Sequence, residues 1–433
     1  MRRPTDTHLR PPKYGAQEVG NRRVTRHTER MEIRQNHRST SVSLGPTGWI
    51  GQVPVFVAAT TGSSHAFGMC FRVGEADETP EIHGLSHLIE HLTLTKWNDS
   101  SSTFNGLVDV LTTNFTCSGT KVSCAAFAAA VTAALLAPDY SRIDRELGVL
   151  RAEAARKAGP TLLSLALAQR CGPTGFGVRS QPESVVDGVS ESMVASWIAS
   201  NFTASNAAIW TTLSPEDLDL AHLPSGQRLV APEPVWLGHH YPAVAHVDAH
   251  RMAVNLVVRD APLMRLALDL LRDRLFDRLR FRDGLCYDVQ IERELLGGSG
   301  LLNAVVSADV VDGTYAEVRN GFLAEFHRFV WDGPSDQEVQ RRIDAWTSRA
   351  PESEIVVAAR LARDELLGVV RRQGDVDTES RIPTPDELGQ LGATCAAMDA
   401  TTLWMIPQGA EWADRRAEPV RPPTKSRFGM LGR

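Results

Sequence analysis

The chain has 433 residues, which is enough for two domains of ordinary size or for one large α/β domain. With 42% hydrophobic and 23% charged residues, it is not disordered throughout, and its net charge of −6 does not favour nucleic acid as a partner. It contains no run of about 18 apolar residues, so we expect no membrane span.

Residues 1–42 are rich in arginine and poor in apolar side chains, which predicts a disordered basic leader. A transit peptide can have this composition, but Asp6, Glu18 and the missing amphipathic period argue against one. The segment also lacks the apolar core of a secretory signal. Because the six cysteines form no CxxC pair, reduced thiols in the cytoplasm are the expected state.

The next segments read as strands and then as a helix. Residues 53–61 and 66–74 are strand-like, and in the run GLSHLIEHLTL, residues 84–94, the Leu and Ile spacing indicates a helix. Residues 111–127, rich in Thr, Val and Phe, are predicted to be extended. An alanine-rich helix is expected after them.

Capping boxes predict where three further helices begin: Ser141 with Asp144, Ser335 with Glu338, and Thr384 with Glu387. The first of these helices is expected to run through Lys157. Residues 295–300, with three glycines, are predicted to form a hairpin turn.

Residues 222–245 contain four prolines and two glycines and are the predicted linker. They separate residues 43–221 from residues 246–410, and each half opens with strands and continues into helices. We therefore predict two α+β domains of related build. The tail, residues 411–433, is predicted to be disordered.

The predicted helix at residues 84–94 carries a possible metal site. His87, Glu90 and His91 stand at positions i, i+3 and i+4, so their side chains share one face. Two neutral imidazoles one turn apart can bind one Zn²⁺ ion, and a carboxylate beside them can act as a general base. A catalytic site of this kind needs a third protein ligand. Histidines on a helix are also common as structural or solvated residues, so the pattern alone leaves both interpretations open.

The pattern H-x-x-E-H is the inverted zinc signature. With the preceding residues, in RVGEADETPEIHGLSHLIEH, it resembles the motif region of the pitrilysin/insulinase family of zinc peptidases. This resemblance implies an α+β fold with two homologous α/β-sandwich domains of the pitrilysin or processing-peptidase type. It also implies a Zn²⁺ cofactor bound by His87 and His91, with Glu90 as the catalytic base.

The segment ELGVLRAE extends the resemblance, which implies Glu153 as the third zinc ligand and Glu146 as a supporting residue behind the ligands. Seven residues span about two helical turns, so both carboxylates lie on one face. Between His91 and Glu153 lie 61 residues, fewer than the family usually has. The shorter segment could leave the ligand geometry intact or could reposition Glu153.

Two more segments are similar to family motifs. In TTNFTCSG the resemblance implies an edge strand in which Asn114, Phe115 and Thr116 bind the substrate backbone by strand addition. In RFRDGLCYDV it implies that Arg280 and Tyr287 bind substrate and stabilise an oxyanion. The alternative is an ordinary surface arginine and a core tyrosine.

The resemblance also implies a chamber of four domains, so a two-domain chain is expected to form a homodimer or a heterodimer with a related chain. The predicted function is a zinc-dependent endopeptidase that hydrolyses unstructured peptides or small polypeptides, with leader processing as one use. Two alternatives remain open. The chain could be a non-catalytic partner subunit of a related peptidase heterodimer, or a binding protein with a structural metal.

Overall fold

Two six-stranded sheets organise the protein, one before the predicted linker and one that begins with β7 in the last three residues of that linker, at Ala243. The computed structural model describes residues 45–60, 62–157, 159–220, 223–311, 313–348, 353–369, 381–412 and 418–419. The predicted leader lies outside the described residues, as does most of the predicted tail.

The first sheet and its helices come from the first half of the chain. The strands are β1 (Gly48–Ile50), β2 (Val53–Val57), β3 (His65–Phe71), β4 (Thr103–Val108), β5 (Thr113–Gly119) and β6 (Ala207–Thr211). The helices are α1 (Leu85–Leu94), α2 (Lys121–Leu136), α3 (Ile143–Arg156), α4 (Leu162–Cys171) and α5 (Glu191–Asn201). The strand order in the sheet is β1-β2-β6-β3-β5-β4.

The second sheet and its helices come from the second half. The strands are β7 (Ala243–Val247), β8 (Arg251–Arg259), β9 (Val289–Leu295), β10 (Leu301–Asp309), β11 (Leu403–Pro407) and β12 (Glu418–Pro419). The helices are α6 (Pro262–Phe276), α7 (Tyr315–Asp332), α8 (Asp336–Thr347), α9 (Glu354–Leu367), α10 (Pro385–Leu388) and α11 (Leu391–Ala397). A π-helical turn, Asp277–Arg282, continues α6, and the strand order is β12-β7-β11-β8-β10-β9.

The two sheets share one topology. The order β2-β6-β3-β5-β4 in the first sheet matches β7-β11-β8-β10-β9 in the second, strand for strand along the chain. The directions agree as well, because β2 with β6 and β7 with β11 are the parallel pairs, and the other corresponding pairs are antiparallel. The fold is therefore the predicted α+β arrangement of two related α/β sandwiches.

Each half contributes a helix to the other half. Helix α9 packs across β2, β3 and β6, and helix α4 contacts β9 and β10. Apolar residues of α4 share a cluster with residues of the second sheet, for example Ala166 with Val305 and Met405. The described residues lie in one compact unit, Ser43–Arg433, so the predicted domain boundaries stay a prediction.

Two of the predicted helix starts are confirmed and one is wrong. Ser335 and Thr384 form capping boxes with Glu338 and Glu387 at the starts of α8 and α10. Ser141 does not cap α3, because its hydroxyl donates to Asp139 within a 3₁₀ turn and the helix begins after Arg142. The hydrogen bond to Asp139, two residues earlier, thus replaces the capping box that was expected between Ser141 and Asp144.

The prediction of an extended chain over residues 111–127 is correct only up to Gly119. Thr120 accepts a hydrogen bond from the Ser123 amide and begins α2, so the remaining residues are helical. The predicted hairpin turn does join β9 to β10 as an antiparallel pair. At the chain end, Glu418–Pro419 pairs with β7, which corrects the prediction of disorder for those two residues.

Within the described ranges, no single helix is long and apolar enough to cross a membrane. Two consecutive helical segments, Lys121–Leu136 and Tyr140–Arg156, have the length and composition of a membrane span only when they are taken together, and an 87° bend separates them.

Candidate metal centre

Helix α1 presents its apolar side to the core of the first half and its two histidines away from it. Leu85, Leu88, Ile89 and Leu92 are all buried in that core. The helix starts after Gly84, whose φ of 94° suits glycine. Its first amides are capped from outside the helix, because the Glu78 carboxylate accepts from the Gly84 and Ser86 amides, at 2.7 Å each.

The imidazoles of His87 and His91 converge on Glu153 of α3. The two rings are edge-on, with centroids 4.9 Å apart. One oxygen of Glu153 lies 3.7 Å from Nε2 of His87, and the other lies 3.7 Å from Nε2 of His91. The shorter spacing before Glu153 therefore leaves it beside both histidines.

Glu90 lies between the histidines and the sheet. Its Oε2 is 3.9 Å from Nε2 of His87 and 3.8 Å from Nε2 of His91. Its Oε1 faces β4 so closely that a Cβ atom at Gly106 would stand 1.8 Å from it. Burial raises the pKa of Glu90 despite the opposing effect of the two histidines, which suits a proton acceptor.

The outer nitrogen of each histidine faces a carboxylate. Nδ1 of His91 lies 3.6 Å from Glu146, the predicted supporting residue. Nδ1 of His87 lies 3.1 Å from both oxygens of Glu183. Sequence reasoning missed Glu183, because it is 96 residues from His87 and no spacing rule connects them.

The pKa values of this last pair follow from opposing effects. Burial alone lowers the pKa of His87, but the hydrogen bond and charge of Glu183, with the charge of Glu90, raise it overall. Burial alone raises the pKa of Glu183, but the hydrogen bond and charge of His87, with the charges of Lys157 and His83, lower it to about 2.

The residues present fit a zinc ion. The group of ligand atoms that lie within 4.8 Å of one another is that of His87, Glu90 and His91, and Glu153 adjoins it through one oxygen to each histidine. Zinc bonds of about 2.0–2.1 Å place tetrahedral ligands about 3.4 Å apart, and the contacts from Glu153 to both histidines are within a few tenths of an ångström of that. The orientation also fits, because each Nε2 faces inward while each Nδ1 faces a carboxylate.

The strand predicted to be an edge strand that binds substrate lies inside the sheet instead. Asn114, Phe115 and Thr116 lie on β5, which is paired with β3 on one side and β4 on the other, so its backbone cannot pair with a further strand. The edge strands of the first sheet are β1 and β4, and Gly106 on β4 adjoins Glu90. Both segments are rich in β-forming residues, and only the pairing decides which one is the edge.

Arg280 and Tyr287 lie together in the second half. The Arg280 guanidinium stacks over the Tyr287 ring at 4.7 Å and donates to the Cys286 carbonyl at 3.4 Å. The Tyr287 side chain is 73% exposed, so it is not the core tyrosine of the alternative interpretation. Among the described residues, no hydrogen bond or ion pair joins either side chain to His87, Glu90 or His91.

A family model described as "Peptidase M16 inactive domain" matches residues 183–345, less than half of the chain. The matched part contains Arg280 and Tyr287, whereas His87, Glu90, His91, Glu146 and Glu153 lie before it. No curated protein matches the sequence significantly.

Solved structures share the fold at low sequence identity. An M16 inactive domain from Pseudomonas fluorescens is 12% identical, with a TM-score of 0.62 over 85% of this chain and 100% of that one. A chain of complex III₂ from Candida albicans is 14% identical, with a TM-score of 0.60 over 82% of this chain and 93% of that one. Pitrilysin is 13% identical, with a TM-score of 0.58 over 82% of this chain, which spans only 44% of pitrilysin. The architecture is therefore that of M16 proteins.

Proposed function

We propose that this chain is a subunit of an M16-type zinc peptidase and that its first half carries the hydrolytic site. The proposal depends on one observation: each histidine presents Nε2 to a different oxygen of Glu153, at 3.7 Å. Both helices that bear these residues precede residues 183–345, so the match to an inactive domain does not cover them.

In the proposed site, His87, His91 and Glu153 hold the metal. Zinc bound there would supply a Lewis acid that activates water and polarises the scissile carbonyl. Glu90 accepts the proton from the attacking water and passes it to the leaving amine. Its buried position between the histidines and the edge strand suits that role, since one oxygen faces each side.

We propose that the substrate is an extended peptide that pairs with β4. A free strand edge offers backbone donors and acceptors to any unfolded segment, so the site would select unstructured peptides rather than a strict consensus. Gly106 would bring the paired substrate close to the Glu90 carboxylate.

We propose that Arg280 and Tyr287 complete the site of a partner subunit. A phenol and a guanidinium are suitable donors to the oxyanion of a tetrahedral intermediate. The Tyr287 side chain is exposed, so its hydroxyl can contact a group outside its own chain. The partner would be a second copy of this chain or a related chain.

A second candidate is a non-catalytic partner subunit of an M16-type heterodimer. The comparisons favour it, because the matched model is that of an inactive domain and a chain of complex III₂ shares the fold. The intact set of two histidines and their carboxylates favours the hydrolytic candidate. A binding protein with a structural metal would be expected to offer four protein ligands.

Metal content and hydrolysis of a quenched peptide library, measured on the same preparations, separate the candidates. Wild type is expected to bind one zinc ion per chain and to hydrolyse the peptides. Glu90→Gln should retain zinc and lose activity by about 10²–10⁴-fold, whereas the exposed control Glu81→Gln should keep both. Zinc without hydrolysis in wild type would favour a non-catalytic or structural role.

A further inference from the structure

We infer that Glu183 is the positioning residue that holds His87 in the orientation needed for metal binding. Both of its carboxylate oxygens lie 3.1 Å from Nδ1 of His87. A carboxylate can only accept a hydrogen bond from that nitrogen, so the proton is kept on Nδ1. Nε2 then presents its lone pair toward Glu153, 3.7 Å away.

Glu183 is itself held in place by its surroundings. The Val185 amide donates to the His83 carbonyl at 3.1 Å, which ties the segment of Glu183 to the start of α1. The two backbones are in close contact, because a Cβ atom at Gly84 would stand 2.8 Å from Cβ of Glu183. Lys157, at the end of α3, lies 3.4 Å from the same carboxylate. The side chain is only 14% exposed.

The two histidines are supported unequally. The distance from His91 to Glu146, 3.6 Å, is beyond ordinary hydrogen-bond length. Glu146 also lies 3.7 Å from Arg142 and 4.0 Å from Arg145, so its charge is partly balanced elsewhere. Of the two carboxylates, Glu183 should therefore have the larger effect on its histidine.

This inference rests on the proposed metal site and adds a residue to it. Loss of a carboxylate behind a metal-bound histidine typically lowers metal affinity by about 10–100-fold. Two substitutions separate charge from shape. Glu183→Gln keeps the shape and removes the charge, whereas Glu183→Asp keeps the charge on a shorter side chain.

The test is zinc affinity of the full chain, measured by competition with a chromogenic chelator. We expect affinity to fall about tenfold or more in Glu183→Gln, less in Glu183→Asp, and less in Glu146→Gln. The exposed Glu191→Gln is the matched control and should bind like wild type. The inference would be overturned if Glu183→Gln bound zinc within twofold of wild type. It would also be overturned if Glu183→Gln lost no more affinity than Glu146→Gln.

A second measurement does not need the metal. In chain labelled with ¹⁵N-histidine, His87 should show a protonated Nδ1 in wild type, and Glu183→Gln should shift its nitrogen resonances toward the other tautomer. If wild type takes up no zinc, the proposed function fails, and the tautomer still decides the role of Glu183. Unchanged resonances in Glu183→Gln would reject that role.

Discussion

Whether Glu90 can act as a base depends on the position of its own carboxylate. Its Oε1 lies against the backbone of β4 at a position that has no Cβ atom. Gly106 has no left-handed φ, so backbone strain does not require glycine there. The requirement is space for the carboxylate.

Gly106→Ala should therefore lower hydrolysis with little effect on metal content. The added methyl group would stand 1.8 Å from Oε1 and must displace the carboxylate, and a misplacement of about 1 Å can cost about a hundredfold in rate. The measurements are kcat/KM and bound zinc. Gly392→Ala is the control, because its Cβ atom would meet nothing within 4 Å. Full activity in Gly106→Ala would contradict the proposed position of the base.

The ion pair between Arg274 and Glu338 makes the stability of the fold depend on pH in the acid range. Arg274 donates to both oxygens of Glu338, at 2.6 and 2.8 Å. The hydrogen bond from Arg274 is the main reason why the pKa of Glu338 is lowered from 4.5 to about 2. Since the folded pKa is below the unfolded one, the pair stabilises above about pH 4.5 and its contribution is lost as pH falls toward 2.

Glu338→Gln should thus destabilise the protein near neutral pH and have little effect in acid. We expect a loss of roughly 1 kcal/mol, since the pair is partly exposed and screened by solvent. Urea unfolding of wild type and variant at about pH 7 and about pH 3 measures the difference. Glu233→Gln, on an exposed loop, is the control. A difference that stays constant between the two pH values would show that Glu338 acts through something other than its charge.

At the scale of elements, α1 and α3 bring the site together, and α4 joins the halves. Arg170 of α4 is only 3% exposed. Its Nε donates to the Asn255 side chain at 2.6 Å, and its Nη2 donates to the carbonyls of Asn255 and Thr401, at 3.1 and 2.6 Å. Burial lowers the pKa of this guanidinium, and these acceptors compensate for its lost hydration.

Arg170→Met should destabilise the fold by about 3 kcal/mol or more, because the oxygens of Asn255 and the carbonyl of Thr401 lose their hydrogen-bond donor. The free energy of unfolding, from chemical denaturation, measures the loss. Arg156→Met is the matched control, since Arg156 is exposed and should change stability by no more than about 0.5 kcal/mol. Equal stability of the two variants would mean that α4 is held by apolar packing alone.

At the scale of the whole molecule, one topology is used twice with different side chains. After β3 the first half places α1 with its histidines, and after β8 the second half places α6 with the π-helical turn and Arg280. Within the described part of one chain, no hydrogen bond or ion pair joins these two groups of residues. A complete site would need both, which is the reason to propose that subunits pair.

Mixed subunits test this pairing. If sites are shared in a homodimer, equal amounts of Glu90→Gln and Tyr287→Phe chains should recover roughly a quarter of wild-type activity. Half of the dimers would be mixed, and each would contain one intact site. A mixture of Glu90→Gln with Glu153→Gln should recover nothing, because both defects lie in the same half-site. No recovery in the first mixture, with exchange of subunits demonstrated, would place all residues of the site in one chain.

The amino-acid sequence by itself determined the local features of this protein. The spacing of His87, Glu90 and His91 on an apolar helix, the seven-residue step from Glu146 to Glu153, and two of the three capping boxes depend on helical geometry alone. Such features can be predicted from the sequence because they depend only on residues that are close together along the chain.

Only the tertiary structure decided which strand is the edge and which carboxylate lies behind His87. The strands β4 and β5 have similar compositions, and their order in the sheet depends on pairing with β3, more than thirty residues earlier. Glu183 reaches His87 across 96 residues of chain. Contacts of this kind arise from packing between distant segments, and no local pattern records them.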